Sequence, residues 1–344
     1  MNLKLRVSFL KGFTLVELMI GLVIGLLATQ VIMQVLSVFE TQKRATIGTS
    51  DAQTNGMIGL YQIMREVQMA GFSLLPVTNS PLECTTLSYG ETGVTGISPV
   101  TLSNGIAASG IAASDTLTLR YGDSQAGGVP TQITAMGAPT ANDVTVLSNL
   151  GCKTGDITLI VNGTTCALSS ASAVTGTTTV KLANTAAAIA GANLSCLGKW
   201  NTITYAVNNG NLERNGIPVV TGIVNLQAQY GVSSIASSNQ VTQWVDASGA
   251  TWAVPVSADR NRIKAVRIAL VARNAKQESG NVSFACSSTT SAAPTGLCAW
   301  VGSASNPAPT VNLGVNDPNW QRYRYRIFET VIPLKNMIWA RDTL

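Results

Sequence analysis

The chain has 344 residues, of which 46% are hydrophobic and only 11% are charged, and it contains no histidine. A chain of this length can bury the core of one large domain or two small ones. The lack of histidine excludes Ser-His-Asp and Cys-His nucleophile systems, and a zinc site would depend on cysteine and carboxylate alone. The net charge of +5 is small, and no dense Lys/Arg stripe is present, so nucleic acid is not expected as a partner. We predict no cofactor and no metal.

The first forty residues have the pattern of a membrane segment. Residues 1–12 hold basic and no acidic side chains, and from Phe13 to Phe39 the only ionisable side chain is Glu17. As a helix, residues 18–38 would be about 30 Å long, which is enough to cross a bilayer with the basic flank on the cytoplasmic side. A secretory signal peptide is the alternative, but its apolar region is about 7–15 residues long.

The residues around Glu17 resemble the processing site of type IV prepilins and pseudopilins. In those families a glycine precedes the cut, phenylalanine becomes the new N-terminus, and glutamate is the fifth mature residue. Gly12, Phe13 and Glu17 match these positions. The resemblance implies that a membrane prepilin peptidase removes the leader 1–12 and N-methylates the Phe13 amine. A signal anchor with a chance glutamate is the alternative.

Glu17 is expected to act in subunit assembly. A carboxylate this close to the membrane core costs on the order of 2–3 kcal/mol, which indicates a role. Inside a helix bundle it would be stabilised by a positive partner, and the nearest candidate is the Phe13 amine of a neighbouring subunit. We therefore expect Glu17→Ala to leave cleavage largely intact and to impair incorporation into a fibre.

The helix is predicted to continue beyond the membrane segment, because no proline occurs before Pro76. We predict one helix from Phe13 to Phe72, apolar all round at first and then amphipathic against a globular head. Its apolar stripe is predicted to lie in the core, with a partner groove as the alternative. This Met57–Val67 stripe consists of Met57, Leu60, Tyr61, Met64 and Val67.

From Pro76 onward the sequence is β-rich, with short Val/Ile/Thr runs between Gly, Asn and Pro. The Asn-Gly at 209–210 predicts a hairpin. Trp320 and Trp339 are expected to pack in the core or at an edge. The row Arg322, Arg324 and Arg326 either binds phosphate or an acidic partner, or is the solvated face of a strand. The predicted strands are Asp115–Tyr121, Asn201–Val207, Val219–Val232, Arg262–Arg273 and Arg322–Ile332.

Three C-terminal segments, 229–232, 265–273 and 322–336, resemble the PilW family of minor type IV pilins, which are similar to J-type minor pseudopilins of type II secretion. The resemblance covers residues 1–72 and scattered strands from 201 onward. It implies an α+β, type IV pilin-like fold, in which a long N-terminal helix with a transmembrane first half packs on an antiparallel β-rich head with a large variable insert. The implied divisions are the leader 1–12, the transmembrane and filament-core helix 13–39, its amphipathic continuation 40–75, the insert 76–200 and the PilW-type sheet region 201–344.

The resemblance also implies a function, that of a minor pilin in pilus assembly initiation and the tip complex, with roles in adhesion and twitching motility. The implied partners are other minor pilins, the major pilin, prepilin peptidase, the inner-membrane assembly platform and a large tip adhesin. The implied location is the bacterial inner membrane, with a periplasmic C-terminal domain, and then the pilus at the cell surface.

Three other functions remain open. One is a minor pseudopilin of a type II secretion pseudopilus, and another is a tip adhesin or DNA-uptake pilin. The third is a membrane-anchored exported enzyme, although we predict that the chain is not an enzyme. The carboxylates available to it form no recognisable pair or metal-ligand spacing, and we expect them in turns and caps. They are Asp115, Asp123, Asp143, Asp156, Asp246 and Asp259.

All six cysteines follow the predicted membrane segment, and none forms a C-x-x-C pair. An even count in an exported domain predicts disulfides, although six cysteines allow about fifteen pairings. Buried free thiols are the alternative. We favour Cys286–Cys298 and Cys152–Cys166, each closing a short neutral loop, which leaves Cys84 with Cys196.

Overall fold

The structure is a computed structural model that describes residues 12–74, 84–88, 97–105, 114–138, 141–315 and 317–338. Most of the predicted leader, Pro76 and Trp339 lie outside the described residues. The chain divides into two compact units, residues 1–50 and 51–344.

Helix α1 is one continuous helix of 55 residues, Leu15–Met69. It confirms the predicted long helix and is shorter than predicted by two residues at its start and three at its end. Its last turn is capped by Asn336, whose side-chain amide lies 3.3 Å from the Gln68 carbonyl oxygen and 3.0 Å from that of Ala70. Such carbonyls have no partner within a helix, so this contact fixes where α1 ends.

Sixteen strands lie in the described residues, and the architecture is mixed α+β. Three short helices follow β14 and β16, namely α2 Gly249–Trp252 and α3 Ser257–Arg260 after β14 and α4 Lys335–Ile338 after β16, and a 3-10 turn, Trp320–Arg322, precedes β16. The strands are β1 Thr86–Ser88, β2 Val100–Ser103, β3 Thr116–Tyr121, β4 Thr131–Met136, β5 Asp143–Val146, β6 Ile157–Asn162, β7 Thr165–Thr175, β8 Thr179–Leu182, β9 Asn193–Gly198, β10 Asn201–Asn208, β11 Asn211–Arg214, β12 Ile217–Thr221, β13 Ile223–Val232, β14 Gln243–Val245, β15 Ile263–Gln277 and β16 Tyr323–Pro333.

The first sheet has the strand order β1-β7-β6-β9-β4-β5-β8. Strand β7 pairs with β6 through residues 165–170 and with β8 through residues 171–175. Six of the seven strands therefore close into a ring of pairings, and we call residues 131–198 the ring region. Its own core contains Ile133, Val144, Ile160, Val180 and Leu194.

Two antiparallel sheets form the rest of the head, with orders β12-β11-β10-β3-β2 and β14-β13-β15-β16. The predicted hairpin is confirmed, because β10 pairs with β11 and the turn residues Asn209 and Gly210 have φ of 48° and 73°. Such positive φ values at both turn residues suit a two-residue hairpin turn. Strands β2 and β3 precede residue 200 yet pair with β10 or with each other, so this sheet takes strands from both sides of that position.

The predicted strand Val219–Val232 is wrong in one respect, because the structure divides it into β12 and β13, which lie in different sheets. The division falls at Gly222, which has a φ of +77°. Glycine adopts this conformation without the steric cost that other residues meet. The chain therefore turns here from the five-stranded to the four-stranded sheet.

Residues 51–70 pack on these two sheets through a narrow face of small residues. We call it the glycine face, and its buried members are Ala52, Gly56, Gly59, Ile63, Val67 and Ala70. They recur every three or four residues, which is the spacing of one side of a helix. The opposing core side chains include Leu117, Leu119, Tyr205, Leu212, Leu226, Ile268 and Leu270.

The prediction that the Met57–Val67 stripe lies in the core holds for Leu60, Met64 and Val67, which are in the core or pack against it. It is wrong for the other two residues. Met57 and Tyr61 are 63% and 61% exposed, whereas Val67 is fully buried. The reason is the close approach of α1 to the sheets. A Cβ at Gly59 would lie 3.2 Å from Leu270 Cδ1, and one at Gly56 would collide with the Phe328 ring. Glycines allow this contact because they have no Cβ. A prediction based on apolar side chains does not include them.

Candidate functional site

The candidate assembly site is the start of α1, at Leu15, together with the residues directly before it. Gly12 and Phe13 lie directly before the helix, and the Phe13 side chain is 87% exposed. Glu17 lies in the first turn of α1. The structure therefore brings the three residues of the predicted processing site together at one exposed helix end.

Thr14 and Glu17 form reciprocal hydrogen bonds at this end of the helix. The Thr14 backbone N–H and hydroxyl each donate to Glu17 Oε2 at 3.0 Å, and the Glu17 N–H donates to Thr14 Oγ1 at 3.3 Å. This arrangement is a capping box, which satisfies two backbone donors that have no partner within the helix. This role of Thr14 was not predicted from the sequence, although the pattern Thr-x-x-Glu before an apolar run is its signal. Glu17 therefore has a capping role within its own chain in addition to any role in assembly.

The segment Leu15–Glu40 is an apolar helix of 26 residues with a mean hydropathy of 2.2, and none of it is buried. It is long enough to cross a membrane, and it is compatible with a membrane anchor. A contiguous apolar surface of this size is not stable in water and marks an interaction with lipid or protein.

In the head, Glu66 connects α1 to the five-stranded sheet. The Tyr205 hydroxyl donates to Glu66 Oε2 at 2.8 Å, and Arg214 Nε donates to Glu66 Oε1 at 3.0 Å. Burial, and then the Glu66 carboxylate, raise the pKa of the Tyr205 hydroxyl. The hydrogen bond that Arg214 donates to Glu66 raises the pKa of the Arg214 guanidinium. These contacts hold the second half of α1 in register with β10 and β11.

Asp115 connects the five-stranded sheet to the four-stranded sheet. Its carboxylate is buried and accepts the Gly105 N–H at 2.8 Å and the Ala228 N–H at 2.7 Å. Its own N–H donates to the Leu226 carbonyl oxygen at 2.8 Å. Burial raises the pKa of Asp115 to about 6, although the two N–H donors oppose this shift. Asp115 is thus a structural carboxylate between β3 and β13.

Other carboxylates singled out in the sequence also have local partners. Asp123 accepts the Lys199 N–H at 2.6 Å, and Asp156 accepts the Lys153 N–H at 2.8 Å. Asp246 accepts Gln229 Nε2 at 2.8 Å. Asp259 pairs with Arg262 at 2.9 Å, and Asp143 begins β5. Among the described residues, no group of three or more His, Cys, Asp or Glu side chains could hold a metal ion.

The arginine row near the C-terminus is largely engaged within the chain. Arg324 forms an ion pair with Glu278 at 2.9 Å. Arg322 lies in the 3-10 turn before β16, and its Nε donates to the Glu278 backbone oxygen at 2.9 Å. Arg326 is exposed on β16, and Trp320 packs against the core beneath. The row therefore ties β16 to the end of β15.

Three disulfides join the six cysteines, and one of the predicted pairings is present. Cys286 pairs with Cys298, with their Cα atoms 4.7 Å apart. The predicted Cys152–Cys166 and Cys84–Cys196 pairings are wrong, because the structure pairs Cys84 with Cys166 and Cys152 with Cys196. The short separation of Cys152 and Cys166 in the sequence led to the wrong pairing. Cys166 lies in β7 beside β1, which follows Cys84, and Cys196 lies in β9.

Comparisons with known proteins bear on the C-terminal part of the chain. A family model described as PilW, Type IV Pilus-assembly protein W, matches residues 199–336. Comparisons with curated proteins and with solved structures found no match. The matched range contains β10 to β16 and includes the three segments on which the resemblance was based. The match over residues 199–336 supports a likeness to PilW-family minor pilins and a role related to type IV pilus assembly.

Proposed function

We propose that this chain is a minor type IV pilin that is cut between Gly12 and Phe13, helps to initiate pilus assembly and takes a place in the tip complex. One observation carries the proposal. A prepilin-type processing sequence leads directly into an exposed apolar helix, in a chain whose C-terminal part matches the PilW family model.

The apolar helix suits the two environments that such a subunit occupies. Before assembly, Leu15–Glu40 would lie in the inner membrane as a single span with the head in the periplasm. After assembly, the same surface would be buried among the helices of the fibre, beside the major pilin and other minor pilins. Both environments remove apolar side chains from water, and this burial is the main source of stabilisation.

Processing would create the charge that Glu17 needs. Hydrolysis of the Gly12–Phe13 peptide bond leaves a carboxylate on Gly12 and a free amine on Phe13, which prepilin peptidase would then N-methylate. The amine stays protonated and positive. Within the fibre it would pair with Glu17 of a neighbouring subunit, in a low-dielectric surrounding where an unpaired carboxylate is costly. The pair would set the axial register of the subunits.

A pilus recovery experiment tests this role and separates it from helix capping. In a strain that lacks the chain, the wild type is expected to restore surface pili and to be present in sheared pili. Glu17→Ala should be processed at Gly12–Phe13 and yet be depleted from the sheared fraction by about tenfold or more, since a buried charge loses its partner. Secretion through a type II system is measured in parallel and should not change.

Two further variants are matched controls. Glu17→Gln keeps a capping side chain but has no charge, and Thr14→Ala removes the capping hydroxyl but keeps the charge. The proposal requires Glu17→Gln to fail and Thr14→Ala to be incorporated. The opposite pattern would show that Glu17 acts only as a cap. Normal piliation without the chain, together with lost secretion, would instead favour a pseudopilin.

A further inference from the structure

Two glutamines lie within the apolar helix, Gln30 near its middle and Gln34 nearer to Glu40. Gln30 is fifteen residues from Leu15 and ten residues from Glu40, so at about 1.5 Å per residue it lies at least 15 Å from either end. Gln34 follows four residues later, and both side chains are exposed. An amide at the depth of Gln30 would be surrounded by hydrocarbon and out of reach of water, and Gln34 would lie about 9 Å from the Glu40 end of the segment.

The two amides also lack partners within the chain. A glutamine amide carries two donors and one acceptor, and in the described residues neither Gln30 nor Gln34 has a side-chain hydrogen bond. Thr29 is different, because its hydroxyl donates to the Gly25 carbonyl oxygen at 2.7 Å. Polar groups without partners in hydrocarbon cost several kcal/mol each in transfer measurements. The helix therefore leaves hydrogen-bond donors and acceptors that another molecule in the membrane can pair with.

The glutamines belong to one continuous stripe of the helix. We call it the glutamine stripe, and it consists of Val23, Leu27, Gln30, Gln34 and Ser37. Its members alternate in steps of four and three residues, which is the heptad spacing of paired parallel helices. At 100° per residue, Glu17 lies about a third of a turn away from this stripe. The stripe and the Glu17 site can therefore contact different neighbours.

We propose that two copies of this chain pair in the membrane through the glutamine stripe, before either joins a fibre. A second copy is the partner because it carries the same amides at the same depth in the membrane. Two copies inserted with the same topology are parallel, and they place Gln30 beside Gln30 and Gln34 beside Gln34. Each amide then finds a donor and an acceptor at its own level. The inference rests on the membrane span of the proposed function and goes beyond it by naming a contact.

Disulfide crosslinking of the full-length chain in bacterial inner membranes tests this pairing. Val23→Cys lies on the stripe, and Ile32→Cys lies on the opposite side of the helix as a matched control. Oxidation should crosslink Val23→Cys into a dimer of two copies, and Ile32→Cys should crosslink far less. Adding Gln30→Leu and Gln34→Leu to Val23→Cys should lower the dimer yield by about tenfold, since two interhelical hydrogen bonds are lost.

Leucine is more apolar than glutamine, so the double Leu variant stays inserted and its loss of dimer reports on pairing. Equal crosslinking at both positions, or a dimer that survives the Leu substitutions, would overturn the inference. If Val23→Cys crosslinked only to a different pilin subunit, the partner at the glutamine stripe would not be a second copy of this chain. If alkaline carbonate extracted the wild-type chain, the chain would not span the membrane, and the proposed function would fail together with the pairing. An inserted chain without a dimer would refute the pairing alone.

Discussion

The two parts of the head are stabilised in different ways. The ring region has a small core of its own, without any residue of α1. One disulfide joins Cys166 of this region to Cys84, and a second joins Cys152 to Cys196 within it. In contrast, the PilW region, residues 199–338, shares one large core with α1 and with β2 and β3, and contains a single short disulfide loop. One part depends on crosslinks, and the other depends on packing against the helix.

The family match covers the part that shares its core with α1, residues 199–336, and does not cover the ring region. Side chains that contact α1 must fit a fixed helical surface, and close-packed cores respond to a change of even one methylene group. The ring region carries its own core and covalent braces. Its strands can therefore change sequence without altering the surface against which α1 packs.

The largest expected effect comes from removing the crosslinks. In the chain-entropy model the free energy of unfolding falls by about 4.5 kcal/mol for the 82-residue separation of Cys84 and Cys166. It falls by about 4 kcal/mol for Cys152–Cys196 and by about 3 kcal/mol for Cys286–Cys298, whose separations are 44 and 12 residues. Double Cys→Ser variants, unfolded in urea as full-length chains in detergent, should follow this order.

Hydrogen exchange would locate the loss in the same variants. Strands β4 to β9 should lose protection when either long crosslink is removed, and β13 and β15 should keep theirs. If Cys286→Ser/Cys298→Ser gave the greatest loss, the contrast between a crosslinked and a packed part would be wrong.

The same contrast shows what the sequence can predict. The helix, the hairpin and the long strands follow from local signals, namely apolar runs, an Asn-Gly turn and alternation. Short loop length predicted the Cys286–Cys298 pairing correctly and the Cys152–Cys166 pairing wrongly. The other two pairings depend on which strands meet in the ring, for example β1 beside β7, and no local signal carries that information.

The candidate site shows a similar limit. Gly12, Phe13 and Glu17 form a contiguous motif, and the structure gives Glu17 a capping partner, Thr14, that the same motif contains. The buried face of α1 was not predictable by counting apolar residues, because Gly56 and Gly59 contribute no side chain. Likewise, the Arg324–Glu278 pair depends on the way β15 and β16 lie together.

An effect of intermediate size is expected at Asp115, which connects the five-stranded sheet to the four-stranded sheet. Its pKa is raised from 3.8 to about 6 in the folded chain. The folded state therefore binds this proton more tightly than the unfolded chain. The free energy of unfolding should fall as pH rises from about 4 to about 6, by on the order of 3 kcal/mol, and this contribution should be constant above that window.

Urea unfolding across this pH range measures the slope. Asp115→Asn should remove this part of the pH dependence, and Asp143→Asn, in the ring region, should retain it. If the free energy of unfolding of Asp115→Asn still fell between pH 4 and 6, the pH dependence would belong to another group. The charge of Asp115 would then not affect the connection between β3 and β13.

The smallest of the three effects tests the packing of α1 directly. Gly56→Leu should lower the free energy of unfolding by about 2 kcal/mol, because the new side chain collides with the Phe328 ring. Phe328→Ala should make the same substitution less costly, since contacting residues are not additive. Met57→Leu is the matched control on the neighbouring, exposed position, and its effect should be within about 0.5 kcal/mol. A destabilising Met57→Leu beside a neutral Gly56→Leu would place Met57 in the core, and the glycine face would no longer account for the stability of the PilW region.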